Sequence, residues 1–164
     1  MPGTVKPIPE GFHALTPYLV VHDAAQAIEF YKRAFDATEK VRMDGPQGKI
    51  VHAELQIGDS RLMLSDEVQQ NKSPQSMGGT TSGVFLYVKD VDATFQKAVG
   101  AGAKATMPPS DMFWGDRFGQ LTDPFGHSWS IATHKEDVAP EEMKKRMHAE
   151  MERRQQEHKT RAAG

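Results

Sequence analysis

Two side chains able to exchange protons, His52 and Glu54, stand two positions apart in the run Ile-Val-His-Ala-Glu-Leu-Gln-Ile over residues 50–57. On an extended strand that spacing puts both on one face, where a carboxylate can orient an imidazole or both can bind a ligand. The same pair can equally serve as a structural hydrogen bond. With His13 or His127 as a third donor it could also hold a divalent metal. A second group, Trp114, Asp116 and Arg117, follows Pro108-Pro109 and Phe113. The prolines predict an irregular segment ahead of a strand, where loops beside a cleft often touch substrate. There Trp114 could stack on a planar ligand and Arg117 could pair with an anion, or Asp116 and Arg117 could pair with each other and pin the loop. His127 lies in the turn Gly126-His127-Ser128 and reads as closing a hairpin; His22 and His134 read as surface residues near strand ends.

Other chemistries lack their residues. Gly78-Gly79 has neither the lysine nor the strand context of a phosphate loop, and no Gly-x-Ser-x-Gly nucleophile turn occurs. With no cysteine there are no disulfides, thiolate zinc sites or cysteine nucleophiles. No catalytic residue is assigned.

The elements that must position these groups come in two copies. Residues 18–23 (Tyr-Leu-Val-Val-His-Asp) match residues 85–90 (Phe-Leu-Tyr-Val-Lys-Asp), an offset of 90 − 23 = 67. At that offset Ile28 meets Phe95 and Ala34 meets Ala101, so helix faces repeat along with strands. Asp23 is a natural N-cap with Gln26 three residues on, and Ala24, Ala27, Ile28, Tyr31, Ala34 and Phe35 follow at helical spacing. Strands are predicted at 40–43, 50–57 and 61–65. The second copy runs as strand 84–88, helix 91–100 and strands 104–107, 117–122 and 128–133, with Asp-Pro-Phe-Gly over 123–126 as its last turn. The predicted organisation is an N-terminal extension (1–13), a βαβββ module (14–67), a flexible linker rich in Gln, Ser, Gly and Thr (68–82), a second module (83–136) and a charged C-terminal helix or tail (137–164). In that tail Met143, Met147 and Met151 form one apolar stripe, read as a solvated helix or as one that docks on the body or on a second subunit.

The chain has 164 residues, 38% hydrophobic and 26% charged, enough for one globular domain or two half-sized units sharing a core. Twenty basic against twenty-two acidic side chains leave a formal charge of -2, no electrostatic case for nucleic acid or an anionic membrane. No apolar run approaches a membrane span and no secretory signal is visible, so a cytoplasmic protein whose partners are small molecules or copies of itself is expected.

Strand alternation then sorts faces. In 50–57 the apolar set is Val51, Ala53, Leu55 and Ile57, which turns His52, Glu54 and Gln56 the other way. Leu62 and Leu64 pack under the helix while Arg61, Met63 and Ser65 face away; Trp129 and Ile131 pack while Ser128 and Ser130 face away. Thr16, Tyr18, Gly83, Phe85 and Tyr87 share that opposite face. Two curled sheets would then form a cleft with aromatic walls (Tyr18, Phe85, Tyr87, Trp114) and polar points (His52, Glu54, Arg117), a mixture suited to an organic ligand.

Three runs, His52-Ala53-Glu54-Leu55 through Leu64-Ser65-Asp66-Glu67, Trp114-Gly115-Asp116-Arg117-Phe118-Gly119 and Asp123-Pro124-Phe125-Gly126-His127-Ser128-Trp129, resemble the PhnB-like branch of the vicinal-oxygen-chelate (glyoxalase/bleomycin resistance protein/dioxygenase) superfamily. The resemblance implies an α+β fold of two tandem βαβββ modules, a cup-shaped mixed sheet and, commonly, a homodimer. It implies metal ligands in the first and last strand of each module, and carried over those positions fall on Thr16, Met63, Gly83 and Ser130, none a good donor for a divalent ion. No cofactor is therefore expected. The leading expectation is a metal-free binding protein of the bleomycin-resistance type that sequesters a small, partly aromatic molecule through His52, Glu54, Tyr18, Phe85, Tyr87, Trp114 and Arg117. The alternative is a glyoxalase- or dioxygenase-like enzyme using His52 and Glu54 with a relocated metal or as an acid/base pair. A third reading makes the cleft vestigial and the Met-striped tail an interaction module.

Overall fold

Asp23 and Asp90 accept hydrogen bonds from Gln26 N and Ala93 N, each at 3.0 Å. The same cap thus turns each leading strand into a helix. The computed structural model describes residues 5–162, so part of the expected extension (1–4) and the last two residues lie outside the described range. Its first module is β1 (Tyr18–Val21), α1 (Ala24–Phe35), β2 (Thr38–Asp44), β3 (Ile50–Ile57) and β4 (Ser60–Asp66). The helical turn α2 (Pro74–Met77) leads to β5 (Gly83–Tyr87), α3 (Val91–Gly100), β6 (Lys104–Asp111), β7 (Asp116–Thr122) and β8 (Ser128–His134), and α4 (Pro140–Ala162) closes the chain. The strands form two four-stranded sheets, ordered β1-β4-β3-β2 and β5-β8-β7-β6, with one parallel pair in each (β1 with β4, β5 with β8). Tyr18 pairs with Met63 and Phe85 with Ser130, equivalent positions at the offset of 67. This is the α+β, two-module arrangement that the repeat predicts.

The two modules share one core. Helices α1 and α3 pack on each other, and the buried apolar cluster runs without a break from Val21, Ile28 and Leu55 to Phe95, Leu121 and Ile131. Tyr31 of α1 reaches into the second module: its ring lies 5.4 Å from that of Trp129, and its hydroxyl donates to Asp123 Oδ2 at 2.6 Å. Trp129 Nε1 donates to the same oxygen, while Phe125 N and His127 N donate to Asp123 Oδ1, all three at 2.9 Å. Burial first, and then the neighbouring Asp123 charge, push the Tyr31 hydroxyl well above the ordinary phenol range, so it remains a donor.

Four local expectations are corrected. Ile50, not Val51, is buried, because a bulge between Met43 and Asp44 shifts the β2–β3 register and Ile50 N is pinned to Asp66 Oδ2 at 2.8 Å. Strand β6 runs on through Pro108 and Pro109, which an edge strand with shifted register tolerates because missing N–H groups cost it no ladder bond. The segment expected as a flexible linker holds an ordered turn: Glu67 accepts from Ser73 N and Ser76 Oγ, each at 2.9 Å, and Ser73 is fully buried. Those bonds hold the Glu67 carboxyl down at a pKa of about 2. His127 does more than close its turn, for its imidazole Nε2 donates across the modules to Val20 O at 2.9 Å.

Helix α4 carries its Met stripe with Met143 and Met147 half-buried and Met151 exposed. Arg146 ties its first turns to the preceding segment through a two-point pair with Glu136, both contacts at 2.8 Å.

Candidate functional site

The faces turned away from the helices differ in chemistry. On the first sheet β3 presents His52, Glu54 and Gln56, β1 presents Tyr18, and β4 presents Arg61 and Met63. His52 Nε2 lies 3.4 Å from Glu54 Oε1, and the Tyr18 and His52 rings lie 6.0 Å apart. These three residues are brought together as a half-buried polar group with one aromatic side.

The second face is aromatic. Phe85 lies 5.0 Å from Tyr87 and 5.6 Å from Phe118, and Trp114 packs edge-on against Phe118 at 5.6 Å and Phe113 at 5.1 Å. Phe85 is 50% exposed and Tyr87 60%, a large apolar surface for residues that propensity would bury. Beneath them Asp116, only 4% exposed, is the acceptor that fixes the wall: Tyr87 Oη and Trp114 Nε1 donate to its Oδ2 at 2.9 and 3.1 Å, and His134 Nδ1 donates to Oδ1 at 2.8 Å. The Asp116 hydrogen bond raises the Tyr87 pKa, and bonds to Asp116 and then Asp137 raise that of His134. His134 thus joins the wall to the segment leading into α4 through Asp137 Oδ1 at 3.0 Å.

Arg117 is not part of this arrangement. It shares parity with Gly119 and Leu121, the helix side of β7, and its guanidinium binds Asp92 of α3 at 2.6 and 2.8 Å and Asp111 at 3.3 Å. Those acidic partners raise its pKa further, so it stays charged and committed. The irregular segment expected ahead of a strand runs over 112–115 and carries Trp114, but Asp116 and Arg117 already belong to β7, and no Asp116–Arg117 pair forms, since alternation sends the two side chains to opposite faces. Phe118 and Asp116 hold the cleft side instead. The signal was present in the sequence: once Leu121 is buried, Arg117 goes with it.

A cavity of about 380 Å³ opens where the β3–β4 turn meets β5, lined by Leu15, Pro17, Arg61, Phe85, Tyr87 and others. It brings aromatic residues of the second module beside the first.

The metal question turns on donors. The positions onto which the resemblance carries the metal ligands hold Thr16, Met63, Gly83 and Ser130, and among the described residues no group of three or more His, Asp or Glu side chains converges. His52 and Glu54 alone supply two donors, short of the three protein ligands a catalytic zinc keeps. These residues do not fit a divalent ion within one chain. Among the described residues no helix is long and apolar enough to cross a membrane.

Comparison with known proteins agrees with the architecture. A model of the Glyoxalase/Bleomycin resistance protein/Dioxygenase superfamily matches residues 11–131. An uncharacterised protein of Mycobacterium bovis is 47% identical over 139 residues, covering 82% of this chain and 91% of that protein. Protein YjdN of Escherichia coli is 32% identical over 110 residues, 66% of this chain and 74% of its own. Among solved structures, TioX from Micromonospora sp. ML1 superposes with a TM-score of 0.59 at 27% identity, over 74% of this chain and 98% of TioX. The PhnB protein from Bacillus cereus, 19% identical, shares the fold at a TM-score of 0.58 over 74% of this chain and 99% of its own.

Proposed function

This chain belongs to the Glyoxalase/Bleomycin resistance protein/Dioxygenase superfamily, and from that premise we propose that it binds a small, partly aromatic organic molecule without a metal, as a sequestering protein. The observation that carries this reading is the exposed Phe85–Tyr87 pair, held from beneath by Asp116 and bordering a cavity large enough for a small ring system. A rigid aromatic wall loses little conformational freedom on binding and accepts any planar partner by stacking. His52, Glu54 and Tyr18 supply polar and aromatic contacts on the other sheet, and Trp114 extends the wall.

The same exposed faces support a homodimer. Tyr18, Phe85 and Tyr87 are each 46–60% exposed on surfaces that a second copy would cover, leaving the ligand enclosed between chains. Light scattering should give twice the chain mass, and Phe85→Ser with Tyr87→Ser should return the mass to that of one chain and weaken the affinity for planar aromatic probes at least tenfold. A monomer that binds such probes with the double variant unchanged would overturn the proposal.

The contact between His52 and Glu54 favours a second reading, an enzyme with an acid/base pair or a relocated metal. Thermal melts with EDTA and with added zinc, nickel or manganese separate the two. The binding protein melts at the same temperature throughout, whereas a large metal-dependent rise that is lost in His52→Ala supports the enzyme.

A further inference from the structure

We propose that Arg61 anchors an anionic group, a carboxylate or similar oxyanion, on the molecule taken into the cavity between the β3–β4 turn and β5; the proposal rests on the binding function above and narrows its ligand class. Strand β4 lifts Arg61 onto the face opposite the helices, at the cavity it shares with Phe85 and Tyr87. Its Nε and Nη1 are both shut off from solvent, and among the described residues neither finds an acceptor. Among the described residues no carboxylate pairs with it, unlike Arg117, Arg146 and Arg153, each of which holds acidic partners. The ring of Phe12 lies 5.4 Å from the guanidinium carbon.

A guanidinium removed from water without hydrogen-bond partners is costly, and a single ring face offsets only part of that cost. An unmet buried group of this kind calls for a partner from outside the chain, and a bound anion is one that suits a guanidinium. The local backbone fits that role. Gly11, at φ +81°, lies so close that an added Cβ would stand 3.0 Å from Arg61 Nη2 and 3.3 Å from Nε. That Nε/Nη2 edge is the one a carboxylate grips with two parallel hydrogen bonds, and any side chain at position 11 would crowd it. A small swing of the guanidinium from beneath Phe12 toward the cavity pairs it with an anion while the ligand's ring meets Phe85 and Tyr87.

Benzoate and benzamide test this, because they share shape and differ in charge. NMR titration of the full-length protein should show benzoate binding at least tenfold tighter than benzamide. Arg61→Met should erase that preference and leave benzamide affinity unchanged. Because it removes an unpaired buried charge, the apo Arg61→Met protein should also melt at or above the wild-type temperature. Equal affinity for both probes in the wild type, or a benzoate preference that survives in Arg61→Met, overturns the anchor while leaving the binding function intact. A melting temperature well below wild type also overturns it, since that is the signature of a guanidinium serving only to pack on Phe12. If neither probe perturbs Phe85 or Tyr87, the cavity reading fails and the anchor with it.

Discussion

Replacing Tyr31 by Phe removes a single oxygen from a buried link between the two modules. The hydroxyl is fully buried and donates to Asp123 Oδ2 at 2.6 Å. Hydrogen bonds to charged groups contribute about 1.5–3 kcal/mol to stability. Asp123 keeps its bonds from Trp129 Nε1, Phe125 N and His127 N in the variant. The loss should therefore stay within that range and below the roughly 3–5 kcal/mol that follows when a buried charge loses its partner outright. The phenyl ring still fills the space against Trp129 and Phe125, so no cavity larger than one oxygen opens. An expected loss of about 2 kcal/mol corresponds, for a chain of this size, to a melting temperature lower by about 4–8 °C. Urea unfolding followed by tryptophan fluorescence and by circular dichroism measures it, and the two probes should coincide with an unchanged denaturant slope. A loss below about 0.5 kcal/mol would refute the hydroxyl as a working tie. Two separated transitions would refute the shared core itself.

Two further outcomes follow from the ion pairs. His134 gains hydrogen bonds from folding, to Asp116 and then Asp137, that hold its pKa above the ordinary value of 6.5. Its contribution to stability is thus complete below pH 6.5 and disappears as pH climbs through the raised folded value. Thermal melts from pH 6 to about 8.5 should fall with rising pH in the wild type and stay flatter in His134→Gln; parallel curves would refute the linkage. Arg117→Gln should reduce stability only slightly, since partly exposed, solvent-screened pairs with Asp92 and Asp111 are what it loses. Its affinity for aromatic probes should not change, and a tenfold loss there would return Arg117 to the ligand.

The duplication, both helix caps and most strand faces were legible from residue type alone, because Asp23 and Asp90 cap by local geometry and alternation is a local rule. What escaped depended on neighbours distant in sequence. Val51 loses its expected burial to a bulge set by the partner strand, and Pro108-Pro109 reads as a break until β6 is known to be an edge. Arg117 looked available because Asp92, 25 positions earlier, is silent in a window around the Trp-Gly-Asp-Arg run. Arg61 fell on the correct face by alternation. Its unmet hydrogen bonds, by contrast, exist only once Gly11 and Phe12 have folded over it.

The carboxylate of Asp123 also bears on how the two halves can live apart. Severed at the exposed Thr80-Thr81-Ser82 stretch, the amino-terminal fragment would carry a tyrosine hydroxyl with nothing to receive it, and the other fragment a carboxylate and an indole facing water. Each piece would be half of an unfinished interior. Complementation, not independent folding, is therefore the behaviour expected of the two fragments, since each half of the repeat supplies what the other lacks.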